Sequence, residues 1–391
     1  MKKICLVVGN TLPVPAVMGG AVEELITMLL DQNEIERKAE FIIFSRENKK
    51  AEREAKKYKY SRIIYIPDDT VLDKVNNRIR RYASSVLKPG TLLDSGYYRK
   101  IYHILRNIKC DAIVCEGGLY HEFRQFAKKF GKEKTYLHIH HHVMADPEYD
   151  EIFGNIIAVS EFAKKEWLRT TKQKKTGAHV VYNCVNEEKF NKKITVEQRN
   201  KLRAQLGLRE DDFVVLYCGR IQEVKGVREL LRAFAGIKEH NCRLLIIGNA
   251  DFAVNTKTPF LKEVEELVQQ DTDRIRFTGY IENAELYQYY QCADMQVVPS
   301  MWEEAAGLVA IEGMLSGLPL VVTKSGGLVE YAPKEVAMQI ERNGIVENLK
   351  MAIETVMDNP VERRKMSEAS EKRAKDFTRS RFYNSYLKVF E

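Results

Sequence analysis

Two doubly wound α/β domains are the architecture this sequence predicts, and three observations carry it. The chain has 391 residues, more than a single hydrophobic core usually organises. Short apolar runs alternate with stretches of helical periodicity, the pattern of βα units on a parallel sheet. That alternation dissolves once, near Asn183, and resumes at Phe213.

In the first series, strands are expected at 3–8, 39–44, 62–66, 112–115, 135–139, 156–159 and 179–182. A helix is expected at 21–30, after a loop carrying Gly19 and Gly20. The break reads NCVNEEKFNKK and is followed by a charged helix at 196–206. The second series places strands at 213–218, 243–247, 274–277, 295–298, 320–323 and 336–340. A first domain over 1–183, a linker over 184–210 and a second domain over 211–373 follow. Near the C-terminus, Phe382, Tyr383, Tyr386 and Phe390 fall at helical spacing. A tail helix with that much aromatic surface must pack on something, so residues 374–391 are expected to return to the first domain.

Composition excludes several classes. Hydrophobic residues at 45% and charged residues at 30% describe a soluble globular chain. No apolar run approaches the roughly 20 residues of a membrane span. The opening MKKICLVVGN is cut short by Pro13 and Pro15, so it reads as a first buried strand rather than a leader. Seven cysteines are scattered without a Cys-x-x-Cys, which points to a reducing cytoplasm and no structural zinc.

The net charge of +7 is concentrated in residues 46–109. Arg46, Lys49, Lys50, Arg53, Lys56 and Lys57 crowd one segment. Arg78, Arg80 and Arg81 then accompany Val75, Ile79, Tyr82, Val86 and Leu87 at helical spacing. This is a basic amphipathic surface for anionic lipid or a solvated charged helix. No recognition motif supports a nucleic-acid partner.

The chemistry gathers at loops after predicted strands, where ligands meet doubly wound sheets. The stretch PSMWEEAAGLVAIEGMLSG, 299–317, carries Glu304 and Glu312 eight residues apart. Eight helical residues would rise about 12 Å, spacing two carboxylates for hydroxyls at the ends of an extended ligand. Between them, N–H groups near Gly307, Leu308 and Val309 at a helix start face an anion. Gly219-Arg220 and Lys225 bracket the loop after strand 213–218, where Arg forks two phosphate oxygens and Lys adds a point charge. Tyr280 and Ile281, after another strand, offer backbone groups and an apolar face to a base. Gly19 and Gly20 allow close approach of backbone to a phosphate or sugar, although Gly-x-Gly-x-x-Gly is absent. The run LHIHHH at 137–142 ends a strand. His140 stands at that end as the candidate for an active-site role, beside readings as a surface cluster or a metal site.

Taken together, Gly219-Arg220 with Lys225-Gly226, the Pro299-Ser300 turn, Glu304 to Glu312, Gly19-Gly20, the His-bearing strand, Val159-Ser160-Glu161 and Gly326-Gly327 with Glu330 resemble the family 4 glycosyltransferases of the bacterial polysaccharide-biosynthesis type. The resemblance covers nearly the whole chain. It implies the GT-B fold, with two Rossmann-like domains facing across a cleft, and a retaining transfer from a nucleotide-sugar donor. It also implies a saccharide or lipid-linked acceptor, no cofactor and no metal, since no Asp-x-Asp motif is evident. By the same resemblance, Arg220 and Lys225 neutralise the diphosphate, Glu312 binds ribose hydroxyls and Glu304 those of the sugar. Tyr280 and Ile281 seat the base, His140 holds the sugar near its reacting carbon, and Gly20 lets the first loop approach. The location implied is cytoplasmic, peripheral on the inner membrane face.

The sequence departs from the family at three places. Ala306 stands where an aromatic is usual, Asn183-Cys184-Val185-Asn186 replaces Asn-Gly-Val-Asp, and no Pro precedes Glu330. Two rival readings accompany the transferase: a GT-B sugar-nucleotide epimerase, and a non-catalytic basic protein binding membrane or nucleic acid. A nicotinamide oxidoreductase is disfavoured by the missing glycine fingerprint.

Overall fold

The computed structural model describes residues 1–88, 90–93, 95–141, 144–173, 177–249 and 258–391. Its contacts divide the chain into two compact units, Met1–Asn183 with Arg379–Glu391, and Cys184–Thr378.

The first unit holds a parallel seven-stranded sheet: β1 (Lys2–Val8), β2 (Ala39–Arg46), β3 (Ser61–Ile66), β4 (Ala112–Glu116), β5 (Thr135–Ile139), β6 (Asn155–Ala158) and β7 (Gly177–Val180). Their order is β3-β2-β1-β4-β5-β6-β7. Ile4 to Val8 and Ala112 to Cys115 are fully buried, as central parallel strands covered by helices on both faces must be. Strand order reverses between β1 and β4, which makes their carboxyl ends the switch point of this sheet. β7 lies two residues earlier than expected, and β4 extends one residue further, to Glu116.

The second unit holds β8 (Phe213–Cys218), β9 (Cys242–Ile247), β10 (Ile275–Gly279), β11 (Met295–Val298), β12 (Leu320–Thr323) and β13 (Ala337–Ile340). These run parallel in the order β10-β9-β8-β11-β12-β13, with the switch point between β8 and β11. The chain after Gly307 becomes helical over Leu308–Leu315. Gly313 on that helix permits close packing on β11, since a Cβ there would meet Gln296 Oε1 at 1.9 Å.

Two boundaries differ from expectation. Residues 184–210 do not form a linker but are built into the second unit. The cause is Arg203, fully buried on helix Val196–Gln205. Its guanidinium donates to the Cys292 carbonyl at 2.7 Å, the Asp212 carbonyl at 2.9 Å and Asp294 Oδ2 at 2.8 Å. Phe190 adds an edge contact to the Tyr290 ring. The tail helix also starts later than residue 374. Ala374 closes helix Pro360–Ala374 of the second unit, and only helix Arg379–Lys388 joins the first. There Tyr383 donates to Asn33 Oδ1 at 2.6 Å and accepts from the Lys38 N–H at 3.1 Å.

Arg203→Ala should strip buried carbonyls and Asp294 of their donor, a loss of about 3 kcal/mol. Urea unfolding of the variant checks this, and a midpoint like that of the unaltered protein would contradict the role given to Arg203.

Candidate active site

At the switch point of the second sheet, the loops leaving β8 and β11 are fastened to one another. Gly226 has φ 71°, and a Cβ there would lie 1.9 Å from the Pro299 carbonyl oxygen. Both the backbone conformation and the contact therefore require glycine. The Met301 N–H donates to the Val224 carbonyl at 2.8 Å, a second tie between the loops. Tyr217, at the end of β8, donates its hydroxyl to the Arg220 carbonyl at 2.9 Å. These contacts fix where Arg220 and Lys225 leave the backbone.

Lys225 and Glu304, read separately from sequence, form one ion pair. Lys225 Nζ donates to Glu304 Oε1 at 2.6 Å, and Ser300 Oγ donates to the same oxygen at 2.6 Å. The ammonium also lies 4.9 Å from the centre of the Trp302 ring, within cation–π range. The Glu304 carbonyl accepts from the Gly327 N–H at 2.7 Å, tying in the turn after β12. On the adjoining turn Glu303 pairs with Arg342.

Gly307 caps helix Leu308–Leu315 without a side chain. A Cβ on it would lie 2.7 Å from Leu328 Cδ1. The first N–H groups of a helix have no carbonyl of their own to bond, so Leu308 and Val309 present donors at the carboxyl edge of the sheet. Only 308–312 of the Glu304–Glu312 interval is helical, a rise of about 6 Å. The 12 Å separation expected from sequence does not apply, because residues 304–307 are loop. Glu312 Oε2 accepts from the Tyr290 hydroxyl at 2.7 Å. Burial pushes that phenol well above its ordinary range, with Cys218 and Glu312 adding to the shift. Tyr280 and Ile281 follow Gly279 at the end of β10, two strands from β8 and roughly 10 Å away at normal strand spacing. Tyr280 is part-exposed there.

The remaining candidates, Gly19, Gly20 and His140, belong to the first unit. Gly20 has φ 102°, and a Cβ there would meet Glu23 Oε2 at 2.2 Å and Leu12 Cδ1 at 2.7 Å. Its necessity is therefore local, whereas Gly19 has no atom within 4 Å of its would-be Cβ. His140 Nε2 lies 2.8 Å from Glu116 Oε2, and His138 Nδ1 lies 2.9 Å from the same oxygen. Tyr386 donates to Glu116 Oε1 at 2.8 Å. His141 stacks on Tyr120 instead, and His142 lies outside the described residues.

Burial opposes the charge on Glu116, but the charge and hydrogen bond of His138, with those of His140, hold its carboxyl well below the usual carboxylate range. Burial, with His138 beside it, lowers His140 to about 4. Burial, then the nearby Glu116, raises the Glu23 carboxyl. Among the described residues, Glu116, His138 and His140 form a group with ligand atoms within 4.8 Å of one another, the spacing of a metal site. The ring nitrogens lie 2.8 and 2.9 Å from Glu116 Oε2, distances that also suit hydrogen bonds.

Sequence reasoning missed Ser300 and Tyr290 as partners of the carboxylates and Trp302 as a neighbour of Lys225. It missed Glu116 altogether and read Tyr386 only as packing surface of the tail helix. Glu116 alone carried a signal, as an acidic residue directly after an apolar strand.

Residues 198–373 match the family described as glycosyl transferases group 1. An uncharacterized glycosyltransferase of Methanocaldococcus jannaschii is 32% identical over 46% of this chain and 45% of its own. The lipopolysaccharide 1,2-N-acetylglucosaminetransferase of Salmonella typhimurium is 29% identical over 54% of each chain. The chain thus spans about half the length of these relatives. The structure of Anabaena HepE in complex with UDP superposes with a TM-score of 0.74 at 17% identity, covering 100% of this chain and 99% of that one. At that identity the likeness concerns the fold, which is GT-B.

The histidine site has a consequence for acid stability. His140 has a folded pKa of about 4 against an ordinary value near 6.5. Between these values the unfolded chain binds the extra proton, so stability falls as pH drops from 6.5 towards 4. Urea midpoints measured across that window should decline, and less steeply in His140→Gln. Equal slopes would refute the assignment.

Proposed function

Residues 198–373 belong to the group 1 glycosyl transferases, and from that premise we propose that the chain moves a sugar from a nucleotide-diphosphate donor to a hydroxyl acceptor. The observation that carries the reading is the cluster of Lys225, Ser300 and Glu304 beside the start of helix Leu308–Leu315, at the switch point of the second sheet. The cluster suits a diphosphate with hydroxyls attached on either side. Arg220 and Lys225 take charge that builds on the leaving diphosphate, and the Leu308 and Val309 N–H groups complete the seat. Glu312, held by Tyr290, takes ribose hydroxyls. Glu304 takes hydroxyls of the sugar, and Tyr280 with Ile281 borders the base. His140 offers a ring nitrogen to a hydroxyl.

The bond from the anomeric carbon to the diphosphate breaks while the acceptor oxygen bonds to the same face. The acceptor proton passes to the departing phosphate oxygen, and configuration is retained. Protein cations supply the charge compensation, so the reaction proceeds without metal. HepE, of the same fold, was solved with UDP, which supports a nucleotide-sugar as the donor class.

A second surface supports a lipid-linked acceptor. Helix Val71–Val86 turns Val71, Leu72, Val75, Ile79, Tyr82 and Val86 outward, each more than half exposed. At about 100° per residue these six fall in one sector roughly 100° wide. The opposite side packs through polar groups. Asn77, buried, donates to Asp69 at 2.7 Å, and Asp73 meets Lys100 at 3.1 Å. This is the reverse of a surface helix on a globular core, and Lys74, Arg78 and Arg81 border the apolar stripe. We assign it to an anionic membrane surface, in keeping with a lipid-linked acceptor. The earlier basic segment contributes less, because Arg46 pairs with Asp68 and Lys57 with Asp31.

Thermal-shift measurements with UDP-, GDP-, dTDP- and ADP-sugars, without metal, test the donor site. Stabilisation by about 2.7 kcal/mol is expected at 100 times the dissociation constant. Lys225→Ala should weaken binding of the responding sugar at least about tenfold, and unchanged affinity would remove Lys225 from the site. Sedimentation with phosphatidylglycerol vesicles tests the helix. Ile79→Ser with Tyr82→Ser should abolish co-sedimentation. Undiminished binding, or concentration-dependent self-association of the unaltered protein without vesicles, would count against the lipid surface.

A further inference from the structure

Glu116 ends β4 at the switch point of the first sheet, and its side chain is 1% exposed. Three side chains from different parts of the sequence converge on it: His138 and His140 from the end of β5, and Tyr386 from helix Arg379–Lys388. An ionised carboxylate only accepts hydrogen bonds. Each ring nitrogen facing Glu116 must then carry a proton, so in their neutral forms His138 is the Nδ1–H tautomer and His140 the Nε2–H tautomer. The far nitrogens, His138 Nε2 and His140 Nδ1, are left as acceptors. Both are buried and have no partner among the described residues. His138 is enclosed, whereas the His140 side chain keeps 10% of its surface open.

We propose that Glu116 and Tyr386 are positioning residues that fix His140 in the tautomer whose Nδ1 accepts a hydrogen bond from a saccharide hydroxyl. Tyr386 occupies Oε1, so the carboxylate cannot rotate away and both imidazoles stay on Oε2. The saccharide rests on the transferase reading, while the tautomer does not. Coordination of a cation would need the two facing nitrogens deprotonated, and the far N–H groups would then need acceptors. The described residues provide none.

Long-range ¹⁵N–¹H NMR of histidine-labelled protein at pH 7 reads the tautomers directly. His140 is expected as Nε2–H and His138 as Nδ1–H, and a saccharide at millimolar concentration should shift the His140 Nδ1 resonance by several ppm. Glu116→Gln, which replaces one acceptor oxygen with an NH2 donor group, should mix the tautomers. It should lower kcat at least tenfold and leave donor KM unchanged. Tyr386→Phe, the milder change, should lower kcat about fivefold with the same KM. His140 found as Nδ1–H would overturn the proposal, as would one equivalent of a divalent metal by elemental analysis. Wild-type kcat in the phenylalanine variant would remove Tyr386 from it. If no nucleotide-sugar is turned over, the transferase reading fails. The saccharide arm is then decided by whether glucose or maltose alone moves Nδ1, and the tautomer arm by the spectrum without ligand.

Discussion

A parallel strand covered on both faces cannot display a charge along its length, because each burial of an ionised group must be matched by a partner. In both units of this protein that constraint pushes the chemistry to the strand ends. β1, β4, β8 and β11 flank the switch points, and their buried bodies are apolar apart from Gln296 on β11. Their carboxyl ends open into Gly19-Gly20, Glu116, Arg220 with Lys225, and Ser300 with Glu304. Strand order reverses at both places, so the connections diverge and leave room above the sheet. Glu116, Arg220, Lys225, Ser300 and Glu304 all sit at that divergence, whereas His140 follows β5 and Tyr280 follows β10, beside it.

What the two edges share is pairing before use. Lys225 and Glu304 neutralise each other, and Ser300 shares the carboxylate oxygen. Glu116 is compensated by three donors. A buried charge with its partner in place has its geometry set before any ligand arrives, which is how an active site avoids reorganising during reaction. A diphosphate approaching Lys225 would enter a pair whose net charge is near zero and shift its balance. It would not meet an isolated cation.

Much of the fold was legible because its signals are local. Apolar runs bounded by Gly, Pro and polar residues located all thirteen strands to within about two residues, and the Gly307 start of helix Leu308–Leu315 was readable from its small residues. The candidate sites were legible one residue at a time. Their partnerships were not, since Lys225 and Glu304 are 79 positions apart and Glu116 and Tyr386 are 270 apart. No periodicity encodes such pairings. Residues 184–210 looked like a linker because their composition is polar, and one buried arginine overrules that composition. The helix Val71–Val86 showed its stripe in the sequence, but which side faced the core was set by Asp69 and Lys100, which lie outside it.

Helix Arg379–Lys388 gives the first unit a peculiar dependence on the order of synthesis. Asn33, Glu116 and Phe41 are made early, yet each meets a side chain from 379–391. While the ribosome is still producing the second unit, the first has an uncovered aromatic seat and a buried carboxylate lacking one donor. The second unit, contiguous from 184 to 378, has no such wait. The half translated first is therefore the half completed last, and a stalled or shortened chain would present an unfinished first domain to proteases and chaperones.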